Sequence, residues 1–297
     1  MLHECRGVDF FMRRAAYAGL FYPRTSIALR KAIEDCFTGR LGPGALPAKP
    51  RVSTPPVKGI ISPHAGYVYS GMAAAWSYKA IAETRTPDLF VLIGPNHRTN
   101  ESGISVETFE TPLGLVRTDQ EFARALIKKG NIRINEGIHI HEHSLEVQLP
   151  FLQFALSSKA EKIKILPLLV SDDLDLERAA QDLKQTITEL KKEALFIVSS
   201  DFTHYGHAYG YLPFTEDIKE NISKLDRDAI SFILRGDAQG FENYVRTTRA
   251  SICGYLAISL FLRALIFNKA KLEQYYTSGD VTGDYTNSVS YASIVFR

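Results

Sequence analysis

Three apolar runs in this chain each end at a histidine, and this pattern limits the folds that the chain can adopt. The runs are Val57–Pro63, Leu89–Asn96 and Ala194–Thr203, and the histidines that follow them are His64, His97 and His204. Short continuous runs of Ile, Val, Leu and Phe are typical of strands that are buried on both faces of a parallel sheet. Ligands of such sheets bind beyond the carboxyl ends of the strands. We therefore expect the three imidazoles at one edge of a sheet, in a metal site or an acid–base site.

Strand and helix patterns alternate along the chain without an internal repeat, which predicts an α/β fold. We expect a single domain over residues 1–297, with three layers and a central, mostly parallel sheet flanked by helices. The predicted helices cover 26–37, 70–82, 120–129, 144–156, 174–192, 217–234 and 255–269. The predicted further strands cover 104–109, 114–117, 163–170 and 288–296, the first two as a hairpin. Pro150 is expected to kink its helix.

Composition and charge exclude several classes of function. The chain has 35 Lys and Arg against 33 Asp and Glu, and a net charge of +2 is too small to attract nucleic acid. The most apolar stretch, Tyr255–Phe267, contains Arg263 and is too short to span a bilayer. Three cysteines are too few for a disulfide scaffold, which favours the reducing cytoplasm. Met1–Arg14 carries charges and lacks the apolar core of a signal peptide.

Two of the histidines have the same local surroundings. His64 follows Ser62-Pro63 and precedes Ala65-Gly66, and His97 follows Gly94-Pro95-Asn96. Proline ends a strand because it lacks an amide donor, and small residues let the backbone approach a ligand closely. One such histidine alone would be interpreted as a loop residue bonded to a carbonyl. Two matching strand ends favour a metal that both histidines share.

The third strand end adds a carboxylate. Asp201 lies three residues before His204, so it can orient the imidazole and fix its tautomer. A structural role, in which the Asp201 carboxylate caps a backbone amide, is favoured equally. Ser199 and Ser200 lack the Gly-x-Ser-x-Gly context of a nucleophile, so serine catalysis is not favoured.

A further group of histidines alternates along the chain at His139, His141 and His143. On an extended segment all three side chains would face the same side, as in a metal cluster or on an exposed strand. We expect at most one of them to be functional. His143 is the candidate, because Glu146 follows one helical turn later and can share its site.

The cysteines differ in their expected roles. Cys253 precedes a glycine and the N-terminus of a predicted helix, and this position favours a thiolate. Inert packing is the alternative for Cys253 and the expectation for Cys5 and Cys36.

Short motifs along the whole chain resemble those of the Memo family (mediators of cell motility). They are Ala18–Pro23, Pro63–Tyr67, Gly94–His97, Thr111–Gly114, Glu142–Glu146, Leu149–Pro150, Ser199–His204, Ile252–Gly254 and Ser288–Ala292. Each motif is short, but their order and spacing together are specific.

The resemblance implies a fold like that of the class III extradiol dioxygenases, which cleave aromatic rings with non-haem Fe(II). It implies a metal site of two histidines and a cysteine, namely His64, His97 and Cys253. It gives His204 the position of the acid–base histidine in the dioxygenases, and it implies three further pocket residues, His143, Glu146 and Asp201. The dioxygenases have a glutamate in place of the cysteine, so ring cleavage does not follow from the resemblance.

Three alternative functions follow. The first is a cytoplasmic metalloprotein in which iron, or else copper or zinc, performs redox or O₂-linked chemistry on a small molecule. The second is a binding module without turnover for a phosphopeptide or small anionic ligand, with Arg98 as a charge contact. The third is a zinc hydrolase that uses a metal-bound water, with His204 or Glu146 as the base.

Overall fold

The computed structural model describes residues 12–50 and 54–297, which build helices around one sheet of 11 strands. The strands are β1 (Met12–Arg13), β2 (Gly59–Ser62), β3 (Leu89–Pro95), β4 (Gly103–Ile104), β5 (Thr108–Thr111), β6 (Gly114–Thr118), β7 (Lys164–Val170), β8 (Ala194–Ser199), β9 (His204–Gly206), β10 (Ala270–Thr277) and β11 (Asn287–Phe296). The helices are α1 (Ser26–Thr38), α2 (Tyr67–Ala82), α3 (Gln120–Ile127), α4 (Glu136–Ile140), α5 (Gln148–Leu156), α6 (Leu176–Glu189), α7 (Ile218–Leu234), α8 (Ala238–Thr248), α9 (Tyr255–Ala264) and α10 (Ser278–Thr282).

The centre of the sheet is parallel. Its strand order is β1-β5-β6-β7-β3-β8-β2-β11-β10, with β4 paired to β7 and β9 paired to β11. The pairs from β6 through β7, β3 and β8 to β2 are all parallel, whereas β11 runs antiparallel to β2, β9 and β10. The predicted α/β architecture with a mostly parallel central sheet is confirmed.

Side chains of the buried strands point alternately to the two faces of the sheet. Helices cover both faces, so the protein has three layers. Leu195 and Ile197 of β8 pack into a core formed with α1, α2 and α5. Phe196 and Val198 of the same strand pack into a second core with α3, α6, α7, α8 and α9. Because successive side chains of a strand point to opposite faces, one continuous apolar run serves both cores.

The register of the central strands places their carboxyl ends side by side. Ser62 of β2 pairs with Ser199 of β8, and Ile93 of β3 pairs with Val198. The segments that carry the predicted site histidines therefore leave the sheet at the same edge, where ligands of open α/β sheets bind.

Helix starts follow the capping residues in the sequence. The side chains of Thr25, Asp119 and Asp175 accept hydrogen bonds from backbone amides in the first turns of α1, α3 and α6. Each cap satisfies one amide that has no partner within its helix.

Two predicted elements differ in their bounds. The helix expected over 144–156 begins only at Gln148, after a series of turns. The predicted kink at Pro150 is wrong, because this residue lies in the first turn, where its missing amide breaks no helical hydrogen bond. The expected hairpin strand over 104–109 is divided, since Ile104 pairs with β7 and only the segment from Thr108 pairs with β6.

The end of the chain holds elements that the prediction missed. Helix α9 ends at Ala264, and the following residues form the edge strand β10 rather than the rest of a helix to Lys269. Helices α8 and α10 were also not predicted, because they are short or interrupted by polar residues. None of the helices in the described part of the chain is long and apolar enough to cross a membrane.

Two isoleucines of α1 test the core assignment. Ile33 is 0% exposed and packs in the core, whereas Ile27 on the same helix is 84% exposed. We expect Ile33→Ala to lower the free energy of unfolding by about 2–5 kcal/mol, because it leaves a cavity. The matched control Ile27→Ala should change it by less than about 0.5 kcal/mol. Urea denaturation measures both, and similar losses in the two variants would contradict the packing described.

Candidate metal centre

Three histidines converge at the carboxyl edge of the sheet. His64 follows β2, His97 follows β3, and His143 lies in the turns before α5. Each offers one ring nitrogen, and these three atoms lie within 4.8 Å of one another. The ring centroids of His97 and His143 are 4.8 Å apart in a stacked arrangement, and that of His64 is 5.1 Å from His97. The set is compact enough to hold one metal ion.

Hydrogen bonds of the Ser199 hydroxyl fix the tautomer of His64. This hydroxyl donates to the carbonyl oxygen of Ser144 (2.5 Å) and accepts from Nε2 of Gln148 (2.8 Å). Its remaining lone pair accepts a hydrogen bond from Nδ1 of His64 (2.9 Å). Nε2 of His64 consequently has no proton, and its lone pair faces the thiol of Cys253 at 3.2 Å and could bind a metal in its place.

A buried carboxylate that the sequence prediction missed orients the other two rings. Oε1 of Glu142 accepts hydrogen bonds from Nδ1 of His97 (3.0 Å) and the amide of Ser144 (2.8 Å). Oε2 accepts from the amide of His97 (2.7 Å), and Nδ1 of His143 lies 3.2 Å from Oε1. Carboxylates that bind the outer nitrogen of metal-ligating histidines fix the ring and raise its basicity.

The electrostatics of the centre favour neutral imidazoles and an ionised carboxylate. Burial, together with the neighbouring His97, holds the pKa of His64 well below its usual value. Burial and the nearby His64 lower the pKa of His143 to about 3. Burial alone would raise the pKa of Glu142, but the hydrogen bond from His97 and the adjacent imidazoles hold it well below the usual range. At neutral pH, His64 and His143 therefore keep the lone pairs that a metal requires.

Cys253 contacts the histidine cluster through His64. Its Sγ lies 3.2 Å from Nε2 of His64 and 3.6 Å from the carbonyl oxygen of Asp201. Gly254 makes this approach possible, since a Cβ added there would lie 2.5 Å from Cβ of Ser200. The thiol thus lies beside His64, although it is outside the group of ring nitrogens that lie within 4.8 Å of one another.

The expectation of a thiolate at Cys253 is wrong for the metal-free protein. Burial raises the pKa of this thiol well above its usual value, and the negative charge of Asp201 adds to the effect. The N-terminus of α9 does not compensate for the desolvation. Cys36 is buried in α1 with a pKa raised to about 12, as expected for a packing residue, and Cys5 lies outside the described residues.

The structure gives Asp201 and His204 separate partners. Oδ1 of Asp201 accepts a hydrogen bond from the amide of His64 (2.8 Å), so Asp201 caps the metal-site loop. Nδ1 of His204 lies 2.9 Å from the carbonyl oxygen of Phe202 and 3.0 Å from that of Ser251. The predicted orientation of His204 by Asp201 is replaced by these two carbonyl oxygens, to which Nδ1 donates.

The prediction that Glu146 shares the site of His143 is wrong. It is fully buried, and Oε2 accepts from the Arg13 guanidinium (2.6 Å) while Oε1 accepts from the Tyr22 hydroxyl (2.5 Å). The amides of Ala16 and Tyr17 donate to the same carboxylate. Because its oxygens are bound by these donors, Glu146 anchors residues 13–22 and is not placed to accept a substrate proton.

Arg13 is a second residue that the sequence prediction missed. Its guanidinium contacts Glu146 and also donates to the carbonyl oxygens of His139 and Glu142. It thereby holds the backbone that carries Glu142 and His143. These partners lie more than a hundred residues away along the chain, so no local motif reveals the contact.

The predicted alternation of histidines does not form a second cluster. His139 lies in α4 rather than on an extended segment, and its buried Nε2 is 3.1 Å from the carbonyl oxygen of Gly103. His141 is exposed at the end of the same helix. Only His143 reaches the pocket, as expected.

The candidate centre opens into a cavity of about 650 Å³. Its walls include the three clustered histidines and five other side chains that bear on chemistry or access: Phe21, Arg98, Asp201, His204 and Tyr209. Arg98 donates to the carbonyl oxygen of His141 and the hydroxyl of Tyr17. The cavity therefore brings His204 to the same space as the candidate ligands.

Fold and site together define an α/β protein with a candidate transition-metal centre at the carboxyl edge of its sheet. A family model described as Memo-like protein matches residues 13–295, and the chain belongs to the Memo family. A MEMO1 family protein of Methanopyrus kandleri is 38% identical over 294 residues, or 96% of this chain and 99% of that protein. MEMO1 family proteins of Methanothermobacter thermautotrophicus and Nitrosopumilus maritimus are each 37% identical over 95% and 96% of this chain and 99% of their own length. The family resemblance seen in the sequence is confirmed.

Two buried carboxylates four positions apart provide a matched test. We expect Glu142→Gln to weaken metal binding about 10–100-fold, because the rings of His97 and His143 lose their ionised partner. Glu146→Gln should affect metal affinity less but lower the free energy of unfolding by about 3–5 kcal/mol, because Arg13 is left buried without its counter-charge. Metal titration and urea denaturation of both variants measure these effects. Unchanged metal affinity in Glu142→Gln would contradict the role assigned to this carboxylate.

Proton release on metal binding tests whether Cys253 is a ligand. Because burial keeps the thiol protonated, coordination as a thiolate must release one proton, whereas His64 and His143 are already neutral. We expect the parent protein to release about one proton more per zinc ion than Cys253→Ser near pH 7. Its zinc affinity should consequently rise about tenfold more per pH unit than that of the variant. Calorimetry in buffers of different ionisation enthalpy measures the difference. Equal proton release would exclude a thiolate ligand.

Proposed function

We propose that this protein binds a divalent transition metal, with Fe(II) as the expected ion, and performs redox or O₂-linked chemistry on a small organic substrate. His64, His97 and His143 would hold the metal, and Cys253 would act as a further donor. The observation that supports the proposal is the convergence of three imidazoles within 4.8 Å, with the outer nitrogens of His64 and His97 hydrogen-bonded to protein groups.

The donor set fits transition metals rather than calcium or magnesium. Imidazole nitrogen suits iron, copper and zinc, and a thiolate favours the softer of these ions. Calcium and magnesium prefer oxygen ligands. The Glu142 carboxylate is bound to His97 and Ser144, and so supports the ligands rather than replacing one. Bound iron would supply the redox chemistry that the side chains of this chain lack.

His204 is the residue placed to move a proton. Its Nδ1 faces the carbonyl oxygens of Phe202 and Ser251, which can only accept hydrogen bonds, so this nitrogen carries the proton. Nε2 is then a base, and His204 lines the same cavity as the three clustered histidines. A substrate hydroxyl held in the cavity would transfer its proton to this nitrogen.

Two other side chains limit the access of water to the cluster. The ring of Phe21 contacts that of His143 at a tilt, with centroids 4.5 Å apart, and Tyr209 meets His204 edge to face at 5.2 Å. Both aromatic rings line the cavity. They would present an apolar surface to an aromatic substrate and reduce the exposure of the reacting atoms to solvent.

A zinc hydrolase is the second candidate, and the histidine cluster favours it specifically. Three histidines with an open fourth position form a known catalytic zinc site. In this alternative the three histidines would hold zinc, which supplies Lewis-acid activation of water, and His204 would be the general base of the cavity. Glu146, the other base considered for this reaction, is bound to Arg13 and Tyr22 and is not available.

Metal analysis of protein purified without air tests the proposal. We expect stoichiometric iron in the parent, and loss of most of it in His64→Ala because a ligand on the cluster is removed. Cys253→Ser should lose metal to a smaller extent. His207→Ala, which removes an exposed histidine outside the cavity, serves as the control and should retain the parent content. Negligible metal in the parent, or equal metal in His64→Ala and the parent, would overturn the metalloprotein proposal.

Oxygen uptake with a panel of catechols separates iron from zinc chemistry. We expect uptake that falls at least a hundredfold in His204→Ala, since general acid–base catalysis contributes about 10²–10⁴-fold. Ester or amide hydrolysis without oxygen would instead support the zinc hydrolase. Metal content without either activity, combined with tight binding of a phosphopeptide in calorimetry, would indicate a binding module.

A further inference from the structure

A second cavity of about 900 Å³ adjoins the metal centre on the side of Cys253. It shares His97, His204 and Tyr209 with the first cavity, so the two spaces meet beside the candidate ligands. We call this second space the arginine cleft, because Arg246 and Arg249 line it. A ligand that reaches the metal centre can therefore extend into it.

The charges of the arginine cleft are not balanced. Its wall includes Glu242, but Arg263 binds that carboxylate through two nitrogens at 2.8 and 3.2 Å. Asp172 accepts a hydrogen bond from the Tyr255 hydroxyl (3.3 Å). It is thus the one acidic group of the cleft that has no cation partner within the described residues.

Neither guanidinium of the cleft has an acidic partner among residues 12–50 and 54–297. Arg246 donates only to the neutral amide oxygen of Asn243 on its own helix, and Arg249 makes no side-chain hydrogen bond within that part of the chain. Both residues are exposed, so their charges are open to a ligand. The cleft thus has two cations without an acidic partner, Arg246 and Arg249, and one acidic group without a cation partner, Asp172.

Arg249 lies at the end of α8, at the wall of the cleft. Its backbone is in the left-handed region, with φ 55° and ψ 27°. Glycine or asparagine adopts that conformation more easily, and Lys191 adopts it in the same way after α6. The strained turn places an arginine at the wall of a cavity beside the metal centre.

The remaining wall of the cleft is largely apolar. Leu174, Val245, Ile252 and Leu256 line it. Guanidinium groups bind carboxylates and phosphates through paired hydrogen bonds. An apolar body with one oxyanion end matches both features of the cleft.

We propose that the arginine cleft binds the carboxylate or phosphate end of an apolar organic ligand whose other end lies at the metal centre. This inference rests on the proposed function, and it names the substrate class as organic anions. Arg246 and Arg249 would determine specificity, while the apolar wall contacts the body of the ligand.

Binding of three matched probes to the iron-loaded protein under anaerobic conditions tests the proposal. The probes are 4-biphenylcarboxylate, 4-biphenyl phosphate and the neutral 4-biphenylcarboxamide, and calorimetry gives Kd for each. We expect the better of the two anions to bind at least tenfold more tightly than the carboxamide, because charge-assisted hydrogen bonds are stronger than neutral ones. The preferred anion identifies the carboxylate or phosphate as the natural end group.

Variants assign the effect to the cleft. Arg246→Gln and Arg249→Gln should each weaken binding of the preferred anion about tenfold and leave carboxamide binding unchanged. Arg249→Lys, which keeps the charge but not the paired donors, should lie between parent and Arg249→Gln. The control Arg124→Gln removes an exposed charge on α3, away from the cleft, and should bind like the parent.

Metal content measured on the same samples separates the two proposals. Absence of iron from the parent protein purified without air would overturn the proposed function. Full iron content with equal affinity for anion and carboxamide, or with anion affinity unchanged in both Arg→Gln variants, would overturn the arginine cleft alone.

Discussion

The candidate metal centre depends on a buried network that begins at the Arg13 guanidinium. Arg13 binds the carboxylate of Glu146 and the carbonyl oxygen of Glu142, and so joins an early strand to the turns before α5. The Glu142 side chain then holds the ring and the amide of His97. Each partner in this network satisfies a charge or polar group that would be costly to bury alone. The ligands are therefore positioned by the core of the protein rather than by flexible loops.

The close packing of the three imidazoles has an electrostatic consequence. Rings that are about 5 Å apart and mostly shielded from water cannot all be protonated, and burial already favours the neutral forms of His64 and His143. Glu142 provides the compensating negative charge beneath His97 and His143. The neutral imidazoles and the adjacent carboxylate form a cluster that could bind a cation, and the thiol of Cys253 lies 3.2 Å from Nε2 of His64.

Much of the architecture and part of the site could be predicted from the sequence. Buried strands have distinctive apolar runs, and a histidine one or two residues after the proline that ends such a run is predicted to lie at the carboxyl end of the strand, as His64 and His97 do. The same local reasoning failed for Glu146, because its spacing from His143 suggested a shared pocket while distant donors determine its position. Glu142 and Arg13 were missed for the same reason. Arg13 binds residues more than a hundred positions away, and Glu142 binds His97 45 positions away, so a single sequence contains no local signal for these contacts. The edge strand β10 was missed because a half-exposed strand lacks the continuous apolar pattern of a central one.

The position of β11 in the sheet bears on how the centre is assembled in a cell. Ile61, three residues before His64, pairs with Ile294, and His204 itself pairs with Val289. Both histidines thus stand on backbone that is braced by residues 287–296. During synthesis, the amino-terminal segments leave the ribosome long before these residues. A metal could therefore be held in the described geometry only after residues 287–296 have joined the sheet, and an incomplete nascent polypeptide would display the imidazoles without that geometry.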